Sequence, residues 1–439
     1  MPHADRRDFL KSAAALTAAG AAAAISPVVF GQDQPTGERV VVGMMGTAGR
    51  GTAVAGTFAG LPNVVVKYVA DVDEAHAAAA AKSVGAKARA ANENTPPPTP
   101  VKDFRRLLDD PEVTVLAIAA PDHWHAPAAI LAAAAGKHVY VEKPCSHNPR
   151  EGELLVAAQK KFNRVIQHGT QRRSWPKVIE AVRKVREGAI GKVRLARGWY
   201  NNNRPSIGRG KPAPVPKNLD WSLWQGPAPE REFRDNYVHY HWHWFTHWGT
   251  GECGNNGIHS LDVCRWGLGV DCPKKVVSAG GRYHFDDDWE FPDTQFVTFD
   301  YGDKAIHWEG RSCHPRGLEE KAAGFGVAFY GDQGTLILDG GGYKIFDPKN
   351  KEVSAETGPA RDNEHLANFV EAIRANDPAK LNAPIHEGVA SVLLCHLGNI
   401  SQRTGRALGV DPATRQITGD AYAMKLWARE YRTGWEPKV

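Results

Sequence analysis

The 439-residue chain is poor in sulfur, with four methionines and six cysteines. Cys145, Cys253, Cys264, Cys272, Cys313 and Cys395 are scattered and form no CxxC pair, which argues against a cysteine zinc site and against a dense disulfide framework. It also lacks a long basic run: 54 Lys and Arg stand against 49 Asp and Glu, for a net charge of +5. Nucleic acid is therefore not the expected partner. Beyond the first residues no stretch is long and apolar enough to span a bilayer, and no internal repeat is visible. The length exceeds one ordinary core and suits two domains.

The N-terminus carries more. In DRRDFLKSAAALTAAGAAAAIS, Arg6 and Arg7 precede Phe9, Leu10 and a weakly apolar Ala-rich stretch. This resembles a twin-arginine export signal, here taken as residues 1–31. The alternative is a basic tail followed by an alanine-rich helix. The expectation is a periplasmic protein, exported folded and not inserted in the membrane afterwards.

Alternation of strands and helices begins at Val40. RVVVGMMGTAGRGTAVAG reads as a β-branched strand, a Gly-rich turn and a small-residue helix. Gly46, Thr47, Ala48, Gly49, Arg50 and Gly51 make the turn. Ala48 replaces the middle glycine of G-x-G-x-x-G, and Gly49 follows it. Such glycines permit a tight turn and let backbone N–H groups approach a pyrophosphate at a helix N-terminus. A second strand ends at Asp71, 20 residues after Gly51. A carboxylate there can accept hydrogen bonds from the adenosine ribose and repels a 2′-phosphate, favouring NAD over NADP. The other reading of Asp71 is a helix N-cap.

Further strands are expected from Val113, up to Glu142 and up to about Gln167, which makes a parallel, doubly wound sheet. The helix AHAAAAAKSVGAKARA reads as a surface helix and TPPPTP as a loop. In such sheets ligands bind at the carboxyl ends of the strands, where Gly46, Asp71, Pro121, Lys143 and Gln167 all fall. Lys143 stands out. Beside an oxidised nicotinamide and partly desolvated, its pKa would fall, and it could hold or take the proton of a substrate hydroxyl. Trp124 has two open readings, packing on nicotinamide or sugar and packing in the core. Arg172 likewise reads as a ligand for sugar hydroxyls or acidic sugars, or as a surface ion pair. Trp221 and Trp224 either stack on a sugar or tether their loop.

Glu142-Lys143-Pro144, the Gly-rich turn, and GNNGIHSLD, in that order, resemble the Gfo/Idh/MocA oxidoreductase family, as do NLDWSLWQGPAP, YGDQGTLIL and REYRTGWEP. The resemblance covers nearly the whole chain after residue 38. It implies α/β architecture: an N-terminal NAD-binding Rossmann domain (38–165), and a C-terminal α/β domain (166–439) whose open, largely antiparallel sheet makes homo-oligomer contacts. It implies hydride transfer at a hydroxyl of a small carbohydrate or cyclitol. Lys143 and His259 would be the catalytic pair, and Glu142, with Pro121 and His125, would lie on the cofactor. One position departs from the family pattern. Asn255 stands where an Asp is usual, so it can bind a sugar hydroxyl but cannot accept a proton as a carboxylate does. Asp262, three residues after His259, reads equally as an orienter of His259 or a helix cap, and as a third substrate-side polar group.

VHYHWHWFTHWGTGECGNNGIHSLD, from Val238 to Asp262, raises the question of metal. Read as a strand, His239, His241 and His243 share one face. At about 3.3 Å per residue the outer two are about 13 Å apart, too far for one ion. No metal is expected, although a two-His site stays open, and His243 is the best-placed sugar contact. Free NAD is not expected outside the inner membrane, so a folded, exported protein would carry its cofactor bound. Three fates of the hydride or of the site follow: passage to a second sugar, return to the same substrate after a glycosidic elimination, or a sugar-binding protein without turnover.

Overall fold

The computed structural model describes residues 38–314 and 324–439. The twin-arginine segment and its cleavage lie outside them. Two sheets organise the chain. The first has six parallel strands: β1 (Val40–Met45), β2 (Val64–Ala70), β3 (Thr99–Val101), β4 (Val115–Ile118), β5 (His138–Val141) and β6 (Ile166–His168), in the order β3-β2-β1-β4-β5-β6. Every residue of β1 and β4 is buried. Helices cover both faces of such a sheet, so its strands read as continuous apolar runs.

Helices α1 (Gly49–Phe58), α2 (Glu74–Ala91), α3 (Arg105–Asp109), α4 (Asp122–Ala134) and α5 (Pro149–Phe162) connect these strands. The α2 sequence, read as a surface helix, buries Ala77, Ala80, Ala81, Val84, Gly85 and Ala88. That spacing of three and four is one helical stripe. Asp73, not Asp71, caps it, accepting from the N–H groups of Ala75 and His76. Thr99 and Pro100, the end of the TPPPTP stretch expected in a loop, belong to the edge strand β3, where Pro100 is tolerated because one side of the strand has no ladder. β6 carries the parallel sheet past residue 165.

After α6 (Pro176–Arg186), the second sheet collects ten strands. They are β7 (Val193–Asn201), β8 (Lys275–Gly281), β9 (Thr294–Asp300), β10 (Ala305–Arg311), β11 (Phe325–Gly331), β12 (Gly334–Asp339), β13 (Gly342–Phe346), β14 (Glu352–Glu356), β15 (Leu408–Val410) and β16 (Ile417–Thr418). All its strand pairs are antiparallel except β7 with β10. In β9 Gln295, Val297 and Phe299 are buried while Phe296, Thr298 and Asp300 are exposed, the alternation of a sheet covered on one face.

Between β7 and β8 a long excursion holds the short helix α7 (Trp221–Gln225) and leads into α8 (Ile258–Leu268). The excursion has an aromatic core of its own, built on Trp221, Trp224, Tyr237, Trp242, Trp244 and Trp248. Trp221 and Trp224 are stacked 4.8 Å apart inside it, so they tether the segment. Late in the chain, α9 (Asp362–Arg374) packs Leu366, Phe369 and Val370 into the core of the parallel sheet, and α10 (Ile385–Thr404) lies against α5 and α8. The first lobe is thus completed by residues some 300 positions downstream, as the Arg50–Asp362 ion pair (2.7 Å, 312 residues apart) marks.

Candidate active site

A cavity of about 360 Å³ opens at the carboxyl ends of β1, β2, β4 and β5. Gly46, Thr47, Ala48, Gly49, Arg50, Asp71, Pro121, Trp124, His125, Glu142, Lys143, His243 and Asn255 all line it. These side chains come from four strand ends and two segments of the second half of the chain.

The turn after β1 is built for close approach. Gly46 has φ +80°, and a Cβ there would meet the Ala120 nitrogen at 2.6 Å. A Cβ on Gly51 would lie 1.8 Å from the Gly46 carbonyl oxygen, so Gly51 is buried packing and not cavity wall. Gly49 is different: its Cβ would meet nothing within 4 Å. It opens α1, whose N-cap Ala48 offers no side-chain acceptor. The first N–H groups of α1 therefore face the cavity without a side-chain cap, the arrangement that receives a pyrophosphate.

At the next strand end Asp71 accepts from the Thr47 backbone N–H (2.7 Å) and hydroxyl (3.1 Å) and from the Asp73 N–H (3.0 Å). It ties the turn to β2 and keeps a carboxylate on the cavity wall. Glu142, 3 % exposed, accepts from Arg50 (2.7 Å), Gln171 (2.9 Å) and Tyr140 (3.1 Å). Burial pushes its carboxyl up, but Arg50 and Lys143 more than offset this and hold it below the usual range. His125 has its ring nitrogens on the carbonyls of Pro144 (2.6 Å) and Ala120 (2.7 Å). It braces the turn that presents Lys143.

Lys143 Nζ donates to the backbone carbonyl of Asn255 at 2.6 Å and to its Oδ1 at 3.0 Å. Burial lowers the ammonium pKa; Glu142, Asp122 and Glu252 pull it back only in part. Asn255 reaches the lysine because Cys253–Gly257 is a π-helical turn ahead of α8, a local widening common where a helix serves a site. Across the cavity His243 uses Nδ1 on the Tyr240 carbonyl (2.6 Å) and stacks on Trp242 at 3.6 Å. Burial takes its pKa down to about 3. Since Nδ1 must donate to a carbonyl, the neutral ring leaves Nε2 as an acceptor.

Other expected residues are placed elsewhere. His259 does not line this cavity. Its Nδ1 is buried without a hydrogen-bond partner, and burial, together with Lys143, Arg172 and Arg50, keeps the ring neutral. Asp262 neither orients His259 nor faces a substrate: it is 1 % exposed and takes a bidentate pair of bonds from Arg173 (2.9–3.0 Å) plus the Ser391 hydroxyl (2.7 Å). A buried carboxylate takes the nearest cation, and residue spacing along a helix cannot show where that cation comes from. Arg172 also leaves the cavity, laying its guanidinium 4.0 Å from the Phe325 ring and donating to the Gly340 carbonyl. Trp124 reaches the wall but is 2 % exposed, packs on Phe104, and gives its N–H to the Trp224 carbonyl (2.9 Å), so its role is core packing. Gln167 donates to the His365 carbonyl, away from the cavity.

The segment read as a histidine strand is no strand. His241–Trp244 is a 3-10 turn, and its alternating histidines diverge: His241 turns to the Asn236 carbonyl and His239 to Asp73. Two residues that sequence reasoning passed over support the site. Glu252, 3 % exposed, anchors Arg204 (2.7 Å), which in turn donates to the Tyr240 hydroxyl (3.0 Å). Asp122, buried in the first turn of α4, accepts from Thr250 (2.6 Å). Burial pushes its carboxyl up. An acid directly after Pro121 at a strand end was the available signal.

Comparison with known proteins gives the family and the fold. Residues 40–170 match the oxidoreductase family's NAD-binding Rossmann fold, and residues 201–437 match that family's C-terminal alpha/beta domain. Levoglucosan dehydrogenase of Pseudarthrobacter phenanthrenivorans is 34 % identical over 236 residues, 52 % of this chain and 51 % of that protein. An inositol 2-dehydrogenase of Rubrobacter xylanophilus is 30 % identical over 167 residues, 38 % of this chain and 45 % of that protein. A glycosyl hydrolase family 109 protein of Shewanella is 30 % identical over 175 residues, 36 % and 37 % of the two chains. The chain thus spans about half the length, or less, of these relatives. A solved structure of levoglucosan dehydrogenase with NADH and levoglucosan superposes with TM-score 0.64 at 20 % identity, covering 85 % of this chain and 99 % of that one, which bears on the fold. The chain belongs to the Gfo/Idh/MocA oxidoreductase family.

Proposed function

We propose that this protein is an NAD-dependent oxidoreductase acting on a CH–OH group of a sugar, glycoside or cyclitol. The observation that carries the reading is Lys143: a half-buried amine with a lowered pKa, held by Asn255 beside a glycine cradle fit for a dinucleotide. Bound NAD would supply the hydride acceptor. The chain's own part is to place the reacting hydroxyl against Lys143 Nζ, which takes or holds its proton, while Trp242 and His243 form the opposite wall. Asp71, next to the cradle, favours NAD over NADP through repulsion of a 2′-phosphate.

A second reading, glycosidic elimination after transient oxidation, needs a further base for the acidified C–H and an acid for the leaving oxygen. The relative named as a family 109 glycosyl hydrolase supports it, and His243 shares the cavity wall with Lys143. With export through the twin-arginine pathway to the periplasm, the cofactor would remain bound through successive turnovers. Self-association through the open sheet face is also proposed: Leu195, Val277, Phe296 and Tyr330 stand exposed there.

The test is to isolate the protein, quantify bound NAD(H), and add a panel of glycosides, sugars and cyclitols. Reduced-nicotinamide absorbance rising by at most one equivalent per chain supports oxidoreduction with retained cofactor. Bond cleavage without net NADH selects the elimination route. A protein that neither binds NAD nor alters any of the compounds would overturn both.

A further inference from the structure

The excursion between β7 and β8 crosses to the parallel sheet at the adenosine end of the cavity. The Glu74 N–H donates to the Asn218 carbonyl (3.0 Å) and the Asp220 N–H to the Val72 carbonyl (2.9 Å). Asn218 Nδ2 donates to Asp73 (2.8 Å). At the same place His239, from the far end of the excursion, puts Nε2 3.1 Å from Asp73 Oδ2, and its ring lies 4.3 Å from that of His76. Asp73, His76 and His239 each present one ligand atom, and the three atoms lie within 4.8 Å of one another. Two come from the N-cap and first turn of α2, three residues apart. The third comes from a segment some 160 residues later.

We propose that Asp73, His76 and His239 bind one divalent transition-metal ion of the zinc class, which clamps the excursion onto the parallel sheet across the mouth of the cofactor cavity. Two imidazoles and a carboxylate with a fourth position left for water is a familiar zinc donor set. Asp73 is 2 % exposed and accepts from Asn218 Nδ2 and from the Ala75 and His76 N–H groups, so its carboxylate is already fixed in place beside the two imidazoles.

In the metal-free arrangement the His239 Nε2 proton bridges to Asp73 Oδ2. An ion seated between them would replace that bond, with the neutral ring carrying its one proton on Nδ1. Asp73 keeps Oδ1 on the Ala75 and His76 N–H groups (2.9 and 3.2 Å), so α2 stays capped. His76 and His239 both line the cavity, and the clamp therefore closes over its occupant. The metal site stands on geometry alone; its consequence for cofactor release rests on the proposed function.

The experiment uses the full chain, stripped with chelator and titrated with Zn2+ and Co2+. One tight site per chain is expected, with tetrahedral Co2+ absorption. His76→Ala should weaken Zn2+ at least 100-fold, and so should His239→Gln, which can still hydrogen-bond Asp73. Circular dichroism checks that both variants fold. Bound NAD should leave the Zn2+-loaded protein at least 10-fold more slowly than the chelated one, and His239→Gln should abolish the difference. No stoichiometric Zn2+ site, or a site untouched by both substitutions, overturns the metal proposal. Tight Zn2+ binding with unchanged NAD release overturns the clamp. Protein devoid of NAD affinity, still binding Zn2+ through His76 and His239, overturns the cofactor reading and leaves the metal site standing.

Discussion

Lys143 Nζ is bonded to both oxygens that Asn255 offers, the main-chain carbonyl at 2.6 Å and the side-chain Oδ1 at 3.0 Å. A neutral amide holds the amine without supplying a counter-charge. A carboxylate at the same position would hold it and also favour its protonated form.

Asn255→Asp should therefore raise the Lys143 pKa by about 1–3 units. If Lys143 works deprotonated, the acid limb of the kcat/KM profile moves to higher pH by the same amount. A pH–rate profile of the variant with the best substrate from the panel measures this, and an unmoved limb would show that Lys143 is not the titrating group.

Lys143→Met keeps the length and apolar stem but has no proton to exchange. Turnover should fall by about 10²- to 10⁴-fold, the range for losing a general acid–base group, while bound NAD stays within a few-fold of wild type. Nucleotide content and kcat are measured on one preparation. Loss of NAD along with activity would instead place Lys143 in cofactor retention.

The two glycines of the turn should separate folding from binding. Gly51→Ala drives a Cβ to 1.8 Å from the Gly46 carbonyl and should lower Tm together with NAD affinity. Gly49→Ala meets no protein atom within 4 Å, so Tm should be unchanged or slightly raised while NAD affinity drops. Thermal unfolding of the apoprotein and NAD titration read the two effects apart.

Asp262→Asn removes one partner of a buried ion pair and leaves Arg173 with a weakened set of acceptors. A loss of about 3–5 kcal/mol is expected, read by urea unfolding, with KM unaltered in whatever folds. The pH sign follows from the direction of the shift. Burial pushes the Asp262 carboxyl up, but Arg173 beside it outweighs this and holds its folded pKa below the unfolded value. The stabilisation is thus complete above the unfolded carboxyl range and disappears as pH falls through the lower folded pKa. The stability gap between wild type and variant should accordingly close in strong acid.

The cofactor side was the most legible part of the site. Gly46, Asp71, Pro121 and Lys143 follow strands whose apolar runs are plain, and a parallel sheet gathers strand ends at one edge whatever the loops do. The same logic failed at Gln167, because β6 is an edge strand whose end is covered by the chain around His365. The substrate side was less legible. Alternation in HYHWHW follows the pattern of a strand, yet Trp242 and Trp244 join a compact aromatic cluster, His239 and His241 turn to Asp73 and to the Asn236 carbonyl, and His241–Trp244 wind into a 3-10 turn. Asp262 was misplaced for a related reason: its partner Arg173 is 89 residues away in sequence.

What the sequence determined by itself was the order of elements, the glycine cradle, the acid at the end of β2 and the lysine after β5. Each depends on residues a few positions apart, governed by local backbone geometry. Only the tertiary structure decided that Asn255 meets Lys143, that Arg173 takes Asp262, and that His239 comes to rest on Asp73 and His76. Those contacts join segments 89 to 166 residues apart. Burial selects such partners by charge and hydrogen-bonding need among whatever the fold brings within reach, and spacing along the chain carries no record of that choice.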